Sequence, residues 1–316
     1  MTTDSASSTH AAPAPPAGTA ANAVAGAQVA QKSRFRIDDK YIAPMFITCI
    51  LIFGQLSFGI LDGNQGLLKT GLAIGSAIAT ELIFGRLFTR KWPHWASSYI
   101  TGISVGILVR SPFIWPYVLC SAIAITSKYV LRYRGRHLWN PSNLGIAAML
   151  VVAAPYFSTL TVQFGNSIPP MVAIWVLGLA IIIRLKRLHI CATYVASFFV
   201  FAFMRSFLVH DSFYSEVAPI TGPMYQLYIF FMITDPATTV KSKRGQALVA
   251  FLVALAENFL RMISSVRIPF LTPEFAVQIA SHAPYFALTI VGPVSKFTEL
   301  YWGNKVGAAP VAVRKS

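Results

Sequence analysis

The sequence predicts an all-α integral membrane protein that crosses the bilayer about ten times, and three observations carry that prediction. Of the 316 residues, 55% are hydrophobic and only 12% are charged, against about 25% charged in a soluble domain, and mean hydropathy is +0.59. The apolar segments are continuous, as in Met45–Phe53 and Ile174–Ile183, whereas the strands of a membrane barrel alternate apolar and polar residues. The basic residues gather in short clusters between the apolar segments, the pattern that orients a chain in a membrane. That grouping also argues against nucleic acid as the partner for the formal charge of +15.

Taken in order, residues 1–36 are rich in Ala, Pro, Ser and Thr and poor in large apolar side chains. Such a stretch cannot bury enough surface to fold, so a disordered cytoplasmic tail is expected. It is not a secretory signal, because no apolar run appears before about residue 42. A transmembrane domain is expected over 37–300 and a short basic cytoplasmic tail over 301–316. Each helical crossing takes about 20 residues. The spans fall near 41–61, 68–88, 95–110, 113–131, 143–158, 169–184, 188–208, 222–234, 246–263 and 275–295. The third and eighth are short. A broken helix exposes backbone dipoles to a buried ligand, while a tilted neighbour or a shifted boundary gives the same reading.

Orientation follows from charge. With the N-terminus inside, the inner segments hold Lys32, Arg34, Arg36, Lys40, Arg86, Arg90, Lys91, Lys128, Arg132, Arg134, Arg136, Arg184, Lys186, Arg187, Lys241, Lys243, Arg244, Lys296, Lys305, Arg314 and Lys315. The outer ones hold only Lys69, Arg110, Arg205, Arg261 and Arg267. This bias places both termini on the cytoplasmic side of a bacterial-type inner membrane. Two halves of five spans would then run in opposite directions, as inverted repeats do. A faint echo supports the division: Asn140-Pro141-Ser142-Asn143 opens the fifth span and Thr272-Pro273-Glu274-Phe275 the tenth.

Polar groups inside hydrocarbon are costly and each needs a reason. Glu81 lies within the second span and Glu257 midway along the ninth. Either could relay a proton, bind a cation, pair with a basic residue such as Arg110, or join helices through a structural hydrogen bond. Asn140, Pro141 and Asn143 suit a helix start, where the Asn side chains can cap free N–H groups or bond a polar ring. Thr234-Asp235-Pro236 ends the eighth span, where Asp235 could cap a turn, pair with Lys241, Lys243 or Arg244, or contact a cofactor. Cys49, Cys120 and Cys191 have no C-x-x-C spacing and read as packing residues. No histidine pair has metal-ligand spacing, and no glycine-rich loop would cradle a nucleotide.

Three segments together resemble a known family. They are Ile100–Arg110, which reads ITGISVGILVR, then His137-Leu138-Trp139-Asn140-Pro141-Ser142-Asn143, and Phe231-Met232-Ile233-Thr234-Asp235-Pro236. Over about 41–300 the chain is similar to a family of membrane subunits shared by the sodium-translocating NADH:quinone reductase and the Rnf electron-transport complex. The resemblance implies ten helices in two inverted five-helix repeats, and a redox subunit of a membrane oxidoreductase complex that carries flavin. Its partners would be other electron-transport subunits and quinone. Family members attach FMN to a threonine in a Ser-Gly-Ala-Thr motif and hold riboflavin without a covalent bond. No Ser-Gly-Ala-Thr occurs in this sequence. Thr159 and Thr161 stand in the corresponding outer loop with nothing to mark either as an attachment point, so a non-covalent flavin, riboflavin or FMN, is expected. Asn140, Pro141 and Asn143 are the carried-over contacts for a non-covalent flavin or a quinone headgroup, followed by Thr234 and Asp235. Short homologues without the attachment motif also occur outside reductase complexes, including beside enediyne biosynthesis genes. A transporter or channel on the same scaffold is the alternative function, and a structural partner that holds other subunits is the third.

Overall fold

In an apolar medium every backbone N–H must find a partner within the protein, which leaves the long apolar runs little choice but helix. The computed structural model describes residues 65–90, 92–160, 168–266, 269 and 271–307 with parts of 44–52, all within a single unit, Ile42–Ser316. The expected tail 1–36 lies outside the described residues. Helices fall on the second to tenth expected segments: α1 (Gly66–Thr89), α2 (Ala96–Leu108), α3 (Trp115–Val130), α4 (Pro141–Val152), α5 (Ile168–Arg184) and α6 (Leu188–Val209). After the short α7 (Phe213–Val217) come α8 (Pro223–Leu227), α9 (Lys243–Met262), α10 (Pro273–Ser281) and α11 (Ala283–Gly307).

The fold is mostly helical, and among the described residues three helices are long and apolar enough to cross a membrane. These are α1, α6, and α9 with its continuation to Ser265. The pair α10 and α11, bent by 72° at His282, makes a fourth when taken as one broken span. Their outward faces are apolar: on α6, Phe199, Phe203 and Phe207 are exposed while Tyr194, Phe198 and Arg205 are buried. Exposed apolar surface on this scale suits lipid rather than water.

Two elements depart from the sequence reading. The third segment stops being helical at Leu108, because Val109–Arg110 (β1) pairs antiparallel with Ser158–Thr159 (β4). The tenth segment is not one straight helix, because Pro284 has no N–H to continue the ladder and its ring crowds the preceding turn. α11 continues to Gly307, with Phe297, Tyr301 and Trp302 in ring contact along it.

Packing makes two groups. α1 packs on α2 and α3, and α3 on α4; α6 packs on α9, and α9 on α11. Contact of α11 with α4 joins the groups. Close approach depends on small residues: a methyl group on Gly102 would come within 2.5 Å of the Ile74 Cα, and one on Gly145 within 2.7 Å of the Cys120 carbonyl oxygen. Between α3 and α4, the strands Arg132–Tyr133 (β2) and Arg136–His137 (β3) form a tight hairpin. Its turn residues Arg134 and Gly135 both have positive φ, 51° and 75°, as the right-handed twist of a two-residue hairpin demands.

Candidate functional site

The start of α4 is built around Asn140. Its extended backbone frees the side-chain oxygen to accept from the Asn143 N–H at 3.1 Å and from the Ser142 hydroxyl at 3.0 Å, satisfying a donor that a helix start leaves open. Pro141 occupies the first helical turn, where its missing N–H costs nothing. The Asn140 amide nitrogen then reaches across to the Met232 carbonyl and to Asp235 Oδ2, both at 3.4 Å. Asn143, 1% exposed, donates to the Tyr285 carbonyl at 3.0 Å and to Thr289 Oγ1 at 2.8 Å, tying α4 to α11. Its side-chain oxygen is buried with no partner.

Thr234 and Asp235 sit where the eighth segment breaks. α8 passes into a π-helical turn, Tyr228–Met232, closed by the Ile233 N–H on the Tyr228 carbonyl at 3.1 Å; such turns recur at functional sites. The Thr234 hydroxyl donates to the Phe230 carbonyl at 2.6 Å, and its own carbonyl accepts from Arg187 at 3.3 Å. Asp235 caps the following turn, accepting from the Ala237 N–H at 3.1 Å and the Thr238 hydroxyl at 2.9 Å. Burial holds the Arg187 guanidinium below its ordinary pKa against the pull of Asp235. Burial likewise lowers the His137 imidazole, aided by Lys128 and Arg132 and opposed by Asp235 and Glu81.

The structure therefore brings Asn140, Asn143, Thr234 and Asp235 into one cluster at the expected inner face. In this closed arrangement the cluster leaves no open space the size of a flavin ring. The cavity beside Asn140, walled also by Leu138, Met232, Thr239 and Leu288, is about 20 Å³, room for a single water, and the amide nitrogens of both Asn residues are taken by protein acceptors. Thr159 is 2% exposed and held in β4, its hydroxyl donating to Met224 Sδ at 3.2 Å, so it is not open to a phosphate. Thr161 lies outside the described residues.

The two membrane carboxylates have different surroundings. Glu81 is buried against Lys128, with the Tyr129 hydroxyl on its other oxygen at 2.8 Å. Its counter-ion is thus Lys128 rather than Arg110, because α1 packs directly on α3. Glu257, 1% exposed, accepts from the hydroxyls of Tyr194 and Tyr225 and from Arg261 Nε at 3.0 Å. Arg261 also donates to the Tyr225 hydroxyl and lies over the Tyr225 and Phe198 rings at 5.4 and 5.5 Å. Tyr194, Tyr228 and Tyr285 continue the cluster inward with ring centroids 5.7 and 6.0 Å apart. The Tyr228 hydroxyl is buried without a partner. Packed rings thus lead from Tyr194, which bonds Glu257, through Tyr228 to Tyr285, whose backbone carbonyl accepts from Asn143.

Sequence reasoning missed the tyrosines and Arg205. One signal was present: Glu257 and Arg261 stand four residues apart on a helix, a spacing that brings opposite charges together. Among the described residues no group of three or more His, Cys, Asp or Glu side chains is arranged to hold a metal. Compared with known proteins, the chain matches no family model and no curated protein significantly.

Proposed function

We propose that the chain is the membrane-embedded subunit of an electron-transport complex, threaded ten times in two inverted halves with both ends cytoplasmic. The observation that carries this reading is the meeting of two of the three family-like segments. Asn140 bonds Asp235 although 95 residues separate them, and α2, which holds most of the third segment, packs on α4. The inverted halves draw support from their equivalent helix starts, where Asn140 caps onto Asn143 and Thr272 onto Phe275.

Non-covalent riboflavin or FMN is the cofactor of this proposal and supplies one- and two-electron transfer when bound. It would enter beside Asn140 and Asp235 only if α4 and the 232–235 turn separated, because the closed cavity admits no ring. The chain's own residues hold that contact, and Glu257 offers a buried site for a coupled proton. Glu81 is the second candidate; both carboxylates carry a basic partner, Lys128 for Glu81 and Arg261 for Glu257. The test is the visible spectrum of protein purified from its native membrane in mild detergent, together with its co-purifying subunits. A folded protein with no yellow chromophore near one per chain, and no redox subunit alongside, refutes the proposal. Cysteines at 135 and 242 should react with impermeant reagents only after the cells are opened, and labelling from outside refutes the threading.

One observation favours a second reading, an ion-coupled transporter. Arg261, the partner of the buried Glu257, lines an open polar pocket of about 290 Å³. On that reading substrate flux in liposomes is lost in Glu257→Gln, and flux that survives the change refutes it.

A further inference from the structure

We propose that the exposed basic face formed by the β2–β3 hairpin, the start of α9 and the end of α11 binds the headgroups of anionic phospholipids. The site rests on the placement of the chain in a membrane and not on electron transport.

Three elements meet to build this face. Arg134 Nη1 donates to the Leu300 carbonyl at 2.7 Å, and the Tyr133 and Phe297 rings lie 4.7 Å apart, which fixes the hairpin on α11. Lys296 donates to the Thr239 carbonyl at 3.0 Å and Glu299 accepts from the Lys241 N–H, which fixes the segment leading into α9 on the same helix. Arg132, Arg134, Arg136, Lys241, Lys243 and Arg244 are all exposed there. The acids that border them are occupied: Glu299 holds Lys296 at 2.8 Å, and Asp235 accepts from Asn140, Ala237 and Thr238.

Local folding does not call for these cations. Lys243 and Arg244 stand in the first turn of α9, with no acid beside them, where the helix dipole disfavours positive charge. Arg134 has a φ of 51° in a turn that favours Asn or Gly. The side chains of Arg136, Lys243 and Arg244 hold no ion pair or hydrogen bond among the described residues. An anion from outside the chain offsets these costs. The chain's own ends do not supply it: residues 1–43 hold Lys32, Arg34, Arg36 and Lys40 against Asp4, Asp38 and Asp39, and 308–316 hold Arg314 and Lys315 with no acid.

What adjoins the cations favours lipid over an acidic protein. Arg244 shares a helix face with Leu248 and Phe251, both exposed, and α11 carries exposed Val294, Phe297 and Tyr301 at the same spacing. In a membrane these stripes face hydrocarbon, so Arg244 and the exposed Trp302 fall at headgroup level, where basic and aromatic side chains settle. Basic clusters at the cytoplasmic ends of spans attract anionic lipid.

The full chain is reconstituted in phosphatidylcholine vesicles containing brominated phosphatidylglycerol or, at the same fraction, brominated phosphatidylcholine. Quenching of Trp302, taken as the difference from Trp302→Phe, is the readout. Phosphatidylglycerol should quench it more strongly, and added salt should shrink the difference. Each neutralised cation should lower the preference about fivefold, so the triple variant Arg136→Gln, Lys243→Gln, Arg244→Gln should reach parity. Its three sites are exposed, so the fold should survive. Equal quenching by the two lipids overturns the proposal, as does an undiminished preference in the triple variant. Labelled poly-glutamate that binds the original chain in phosphatidylcholine alone, with no lipid preference, assigns the face to an acidic protein instead. A chain that fails to enter vesicles refutes the membrane placement itself.

Discussion

Replacing Glu257 by Gln is the sharpest test of how the interior of this protein is held together. The change keeps shape and removes one charge. Three donors converge on the carboxylate: the hydroxyls of Tyr194 and Tyr225 and the Arg261 guanidinium, whose Nε lies at 3.0 Å. A glutamine oxygen can serve only part of that set, and its NH₂ group faces hydroxyls that were donating. Arg261 would then be left without its counter-ion. Removing one partner of a buried pair costs about 3–5 kcal/mol. The Arg261 side chain is 13% exposed against 1% for Glu257, and it lines an open polar pocket, so water recovers part of the loss and about 3 kcal/mol is expected. That is about a hundredfold in the unfolding equilibrium. Unfolding in mixed detergent, followed by tryptophan fluorescence, measures it. Arg261→Met should cost a similar amount, and the double variant should cost less than the two singles together by about 2 kcal/mol, as groups in one network do. A loss below about 1 kcal/mol in Glu257→Gln, or strict additivity, would refute the view that carboxylate, guanidinium and tyrosines act as one unit.

Other outcomes follow from local geometry. Asn140→Ala removes the cap on Asn143 and should cost about 1 kcal/mol; Asn143→Ala breaks two bonds to α11 and should cost about 2 kcal/mol, both read as Tm in detergent. Gly102→Ala forces a methyl against the Ile74 backbone at 2.5 Å and should destabilise by about 1–3 kcal/mol, whereas Gly71→Ala, with open space around it, should be tolerated in the same assay. The lowered pKa of His137 makes protonation favour the unfolded chain. Its contribution is fully present above the ordinary value of 6.5 and is lost as pH falls below it through the folded value. A Tm profile from pH 8 to pH 5 should therefore flatten in that window in His137→Gln.

Much of the helical layout was legible in the sequence, because hydrophobic runs and helix punctuation are local. Asn140-Pro141 and Thr272-Pro273 start helices where their side chains predict, and each caps as a short polar residue before proline should. The short eighth segment was legible too, though not that it would wind into a π-helical turn at Tyr228–Met232. The end of α2 was not, because Val109–Arg110 becomes a strand only through its partner Ser158–Thr159, far along the chain. The same limit applied to the carboxylates: their positions were plain, but their counter-ions were not.

By itself the sequence determined where the apolar segments lie, how their flanking charges are biased and which polar residues must be accounted for in hydrocarbon. Each of these depends on residues within one or two turns of one another. Only the tertiary structure decided that Asn140 meets Asp235, that Lys128 rather than Arg110 neutralises Glu81, and that Glu257 lies among tyrosines beside Arg261, which lines a polar pocket. The physical reason is that a buried charge is stabilised by whichever group packing brings within a few ångströms, and that group need not be near it in the chain.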